Sequence, residues 1–127
     1  MTRKRSDLIR IAIVGACMLV VLGSGGLFAQ ERRANPDRGQ VIYELHCTRC
    51  HGPSGEGNGP DARTLIVPPA NFHLGQQRVK TDEELFIAVS DGVLFSPMHG
   101  WRGRLSERDI EDVVEYLRVM VPFLPLS

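Results

Sequence analysis

Apolar positions along this chain recur at helical spacing, and no segment alternates as a strand would. Asn35-Pro36 reads as a helix N-cap followed by proline at the first helical position, where a missing N–H costs nothing. That helix is predicted to run to about Cys47, with Ile42, Tyr43 and Leu45 as its apolar side. Gly39 stands one turn before Tyr43 on the same face, where it permits the close approach of a second helix. From Gly52 to Ala70 glycine and proline predominate, which predicts a loop. Thr81-Asp82-Glu83-Glu84 is a capping box opening a second short helix, with Leu85, Phe86, Ala88 and Val89 as apolar positions and Asp91-Gly92 as its stop. Ser106 caps a third, in which Ile110, Val113, Val114, Leu117 and Val121 recur before Pro122 ends it. The fold class expected is all-α, three main helices joined by loops.

The first 29 residues read differently. Arg3, Lys4, Arg5 and Arg10 precede the apolar run Ile11–Leu22, and small residues follow up to Ala29. This is the order of an export signal, so residues 1–29 are read as a signal peptide and 30–127 as the mature domain, outside the cytoplasm and periplasmic in a bacterium. The alternative is an uncleaved membrane anchor, since Ile11 to Phe28 is just long enough to cross a bilayer. Gly15, Gly23, Gly25 and Gly26 weaken such a helix. Cys17 has too short an apolar stretch before it to be a lipid attachment site.

Removing the signal changes the charge. The whole chain balances 15 basic against 15 acidic residues, and the signal takes four basic and one acidic with it, leaving 11 against 14. A mildly acidic domain lacks the clustered basic footprint of a nucleic-acid binder and leaves docking to another protein open. The mature domain also keeps only two cysteines, Cys47 and Cys50.

Those two carry the chemistry. Cys47-Thr48-Arg49-Cys50-His51 is the attachment signature of a c-type haem. On one helical turn both sulfurs reach the vinyl groups on one porphyrin edge, and His51 stands beneath the iron as proximal ligand. A zinc site would need a second Cys-x-x-Cys or a His-x3-5-His, and a thioredoxin-like pair would sit in a βαβ pattern; neither is present. Gly55-x-Gly57-x-Gly59 follows a helix rather than a strand and has no downstream Lys-Ser/Thr, so it is not read as a phosphate cradle. A buried haem also supplies apolar mass that three short helices lack.

The order of a helix with Cys-x-x-Cys-His, a Gly/Pro-rich loop, a short helix ending in Asp-Gly, a Pro-Met segment and an amphipathic last helix resembles a class I, monohaem cytochrome c, over about residues 35 to 121. The resemblance implies a methionine as sixth iron ligand, and Met98, preceded by Pro97, occupies the matching place. His99, where many relatives have proline, His73 and His46 are the rival side chains, and Met120 falls in the last helix at a packing position. The family further implies a proline carbonyl, of Pro68 or Pro69, holding the other nitrogen of His51, and an aromatic, Trp101, beside the haem edge. Arg63, Arg102 and Arg104 are candidates to face the propionates.

The resulting expectation is one heme c per chain and an electron-transfer protein, not an enzyme, whose partners are redox proteins that donate and accept electrons. The alternatives are a haem subunit of a larger dehydrogenase or oxidase complex, and a haem enzyme or gas-binding module with an open sixth position. No catalytic triad is apparent: Glu107, Asp109, Glu111, Asp112 and Glu115 are expected on helix surfaces.

Overall fold

The computed structural model describes residues 33–125; the signal or anchor expected over residues 1–29 lies outside the described residues. Asn35 caps α1, Pro36–His46, its side chain accepting from the N–H groups of Asp37 and Arg38. One turn, α2, spans Thr48–His51 directly after it, with Cys47 as hinge between the two. A 3-10 turn (Ala62–Thr64) and a further single turn, α3 (Gly75–Arg78), interrupt the long loop. The helix α4, Asp82–Asp91, opens on the Thr81/Glu84 capping box and stops at Gly92. The last helix, α5, is Glu107–Met120, and Ser106 caps it in a second box with Asp109. The three expected helices are therefore present, and the single turns are additions that the loop's glycines and prolines concealed. Among the described residues the only β pairing is two isolated bridges, Gly92 with His99 and Arg102 with Leu105. No helix among them is long and apolar enough to cross a membrane.

The core is the crossing of α1 on α5. Tyr43, Val113 and Leu117 are buried together, with Ile42, Cys47, Phe72, Tyr116 and Met120 packed around them. Gly39 is the point of closest approach: a Cβ there would overlap the Asp112 carbonyl and lie 2.9 Å from the Tyr116 Cβ. Both obstacles belong to the α5 backbone or its base, so neither can swing away. Gly39→Ala is expected to lower stability by about 3 kcal/mol, the upper range of overpacking, even though alanine is the better helix former. Urea unfolding of the haem-loaded protein measures it.

Asp112 departs from the sequence reading. It is fully buried, not on the helix surface. Its carboxylate accepts from the Asn35 N–H at 2.7 Å and from Arg38 Nε, with Arg108 Nε at 3.9 Å. A carboxylate leaves water at low cost only when its oxygens are met by donors, and here the first turn of α1 provides them. Helical spacing alone could not reveal this, because the donors come from 74 and 77 residues away.

Candidate functional site: the Cys47–His51 turn

The motif turn is held by a complete set of backbone bonds. A one-turn helix has no internal partners for its carbonyls, so something outside must provide donors. Thr48 C=O accepts from Gly52 N–H, Arg49 C=O from Asp61 N–H, Cys50 C=O from Gly59 N–H and His51 C=O from Gly57 N–H, all at 2.8–3.1 Å. The Gly/Pro-rich loop is thus the cap of the motif. Gly52 begins it at φ 77°, a conformation costly for any residue with a Cβ. Arg49 grips Asp61 through two bonds, Nε–Oδ2 at 2.8 Å and Nη2–Oδ1 at 3.0 Å, and closes the loop. From the core side the buried Tyr43 hydroxyl donates to the Gly52 carbonyl at 2.7 Å.

Within this frame Cys47, Cys50 and His51 lie side by side on the motif turn. Both cysteines are free and half-buried. Burial, with Cys50 as the smaller cause, pushes the Cys47 thiol up to about 12, so it is a neutral thiol at pH 7. Burial also lowers the His51 pKa, against the opposing effect of the Ala70 carbonyl, and keeps the ring neutral. The partner of His51 is that Ala70 carbonyl, 3.2 Å from Nδ1, and not a carbonyl of Pro68 or Pro69. The correction has a simple cause: the loop reaches His51 one residue later, where Phe72 N–H pairs with Gly55 C=O at 2.8 Å and pulls Ala70 over the ring. A carbonyl only accepts, so Nδ1 carries the proton and Nε2 presents its lone pair. Phe72 stacks on the same imidazole, ring centroids 4.7 Å apart and planes within 16°. The sequence reading missed it; the only signal was one aromatic residue in a stretch otherwise made of proline, alanine and polar residues.

Met98 lies on a separate loop. Gly92 and His99 pair to close its neck, Val93 N–H donates to the Met98 carbonyl at 2.9 Å, and Met98 N–H donates to Ser96 Oγ at 3.1 Å. Trp101 ties that loop to the motif, since its ring meets His46, the residue before Cys47, at 4.9 Å and His99 at 4.8 Å. His46 and His99 are thereby engaged with Trp101, while His73 Nε2 lies 2.8 Å from the Ser54 carbonyl. Met120 packs on the other side, its sulfur beside Gly55 and Phe72. Of the arginines, Arg102 pairs with Asp91 at 2.8 Å, Arg104 lies 6.0 Å above Trp101, and Arg63 is exposed.

The donor set fits a c-type haem: two free thiols on one turn and a neutral imidazole whose Nε2 has no hydrogen-bond partner among the described residues. Apolar side chains on the adjoining loops, Ile66, Leu94 and Phe95, are 86–100% exposed and offer surface that a porphyrin can cover. Among the described residues no group of three or more His, Cys, Asp or Glu side chains is placed to hold a metal ion by itself.

Comparison with known proteins agrees. Residues 34–117 match the family model described as cytochrome C oxidase, cbb3-type, subunit III. No curated protein matches the chain. Among solved structures it is similar to a chain of the Kuenenia stuttgartiensis reducing HAO-like protein complex Kustc0457/Kustc0458, with 29% identity, a TM-score of 0.61, and 70% of this chain and 44% of that one covered. This chain therefore spans less than half the length of that relative. It also shares its fold with the KustC0563 c-type cytochrome, with 23% identity, a TM-score of 0.53, and 65% and 95% of the two chains covered. With the attachment turn, its loop cap and the helix crossing all inside the matched span, the chain belongs to the cbb3-type cytochrome c family, whose domains carry a c-type haem for electron transfer.

Proposed function

We propose that the mature protein is an exported, single-haem electron carrier, its haem linked through Cys47 and Cys50 with His51 and Met98 as axial ligands, passing electrons between redox proteins. The observation that carries this reading is His51: one nitrogen is held by Ala70, the other has no hydrogen-bond partner among the described residues, and two thiols lie on the same turn. Bound there, haem would supply a one-electron Fe(II)/Fe(III) couple. The chain's own part is to hold that group. Cys47 and Cys50 would add across the two vinyl groups of the porphyrin, each sulfur bonding to one vinyl carbon and its hydrogen passing to the other, so that two neutral thiols become neutral thioethers. The Ala70 carbonyl fixes the His51 tautomer and strengthens Nε2 as a donor. The Met98 thioether, soft and neutral, favours the ferrous state relative to a second histidine.

The likeness to a chain from a multi-protein complex favours a second setting for the same chemistry, a haem subunit docked within a larger oxidoreductase assembly. The spectrum of the ferric protein tests the ligand set in either setting. A low-spin ferric form with a weak far-red sulfur-to-iron band is expected, and no rapid carbon monoxide binding after reduction. A high-spin form that takes up carbon monoxide at once would replace the carrier with a gas-binding or catalytic haem.

Export has its own consequence. The basic start, apolar run and Ala29 support a mature N-terminus at Gln30 or a near neighbour. Intact-mass measurement of protein recovered from the periplasmic fraction should show that start. Residues 1–29 retained in a membrane fraction would establish the anchor instead.

A further inference from the structure

We infer that Phe72 is a positioning residue for His51, setting the plane of the proximal imidazole; this rests on the reading that His51 binds a haem iron. A hydrogen bond from Nδ1 to the Ala70 carbonyl fixes one atom of the ring and leaves it free to turn about that contact. A parallel aromatic face removes the remaining freedom, and Phe72 provides one at 4.7 Å and 16°. The phenyl ring is itself braced. Its backbone N–H donates to Gly55 C=O, its inner side packs on the Tyr43–Val113–Leu117 core, and the Gly55 backbone stands against its edge, where a Cβ would come within 2.7 Å of Cδ2. A rigid core element therefore reaches through Phe72 to the ligand ring. Outer contacts of this kind orient a ligating histidine and so tune the metal it binds. In a low-spin ferric haem the plane of the ligating imidazole, together with the orientation of the second ligand, sets how unpaired spin spreads over the porphyrin; the variants leave the second ligand in place, so a change in the four haem methyl shifts reports the imidazole.

The test is the proton NMR spectrum of the ferric, haem-loaded protein in wild type, Phe72→Leu, Phe72→Tyr and Met120→Leu. The wild type must first show covalent, low-spin haem; its absence would overturn the carrier reading itself. Given that, Phe72→Leu should change the order or spread of the haem methyl shifts, because it keeps apolar bulk and loses the flat face. Phe72→Tyr keeps the face and should retain the wild-type pattern. Met120→Leu alters a neighbour of Phe72 that is not in ring contact with His51 and should also retain it. Phe72→Met gives the same reading if the leucine variant yields too little holoprotein. A wild-type pattern in either ring-less variant would overturn the assignment. So would failure of both to hold haem, which would make Phe72 a folding residue only.

Discussion

Cys47→Ala/Cys50→Ala protein should show no haem-stained band after denaturing electrophoresis, whereas the wild type shows one at the mass of the mature chain. The two sulfurs are the only cysteine sulfurs in residues 30–127, because no other cysteine lies beyond Cys17. His51 remains in the double variant, so a noncovalent porphyrin could still meet Nε2, but it would leave under denaturing conditions. Each single variant keeps one thioether and should retain a weaker band. The loss in the double variant is complete rather than graded, which makes it the largest effect expected of any substitution here. Covalent haem surviving in that variant would move the attachment site away from the α2 turn.

Met98→His should lower the reduction potential strongly, and Met120→Leu should leave it nearly unchanged. Axial-ligand identity tunes haem potentials over about 0.8 V, and imidazole favours ferric iron where a thioether favours ferrous. Met120 packs against Phe72 and Gly55 in the core around Tyr43 and Leu117, so its replacement is a volume-conserving swap costing less than about 1.5 kcal/mol of stability. Voltammetry of both variants separates ligand from packing. A large shift in Met120→Leu with none in Met98→His would reverse the two assignments.

Much of this is legible in the sequence. The caps at Asn35, Thr81 and Ser106 are local, each made by a side chain within three residues of the N–H groups it meets, so residue type and spacing suffice to place α1, α4 and α5. The motif turn was equally plain, since Cys-x-x-Cys-His is contiguous. Gly39 was read as a contact point from its register with Tyr43, and the structure puts the Asp112 carbonyl against it. What sequence did not show depends on which distant segment arrives where. Ala70 rather than Pro68 or Pro69 meets His51 because the Phe72–Gly55 bond fixes the path of the loop, and nothing in a run of proline and alanine specifies that register. Asp112 is buried because Arg38 and the Asn35 N–H converge on it across the helix crossing. The stacking of Phe72 on His51 spans 21 positions through a loop without periodicity. The Gly/Pro-rich stretch reads as a connection in the sequence; it is the cap that provides every outward carbonyl of the motif turn with a donor.

In the proposed carrier one covalently held haem, six-coordinate in both states, cycles by single electrons. Spectroelectrochemical titration of the purified mature protein, with haem content measured per chain, tests it most directly. One haem per chain and a single one-electron wave are expected, with low-spin spectra at both ends and the same potential on reduction and reoxidation. A chain without haem, more than one wave, or a reduced form that turns high-spin as the Met98 bond opens would contradict it.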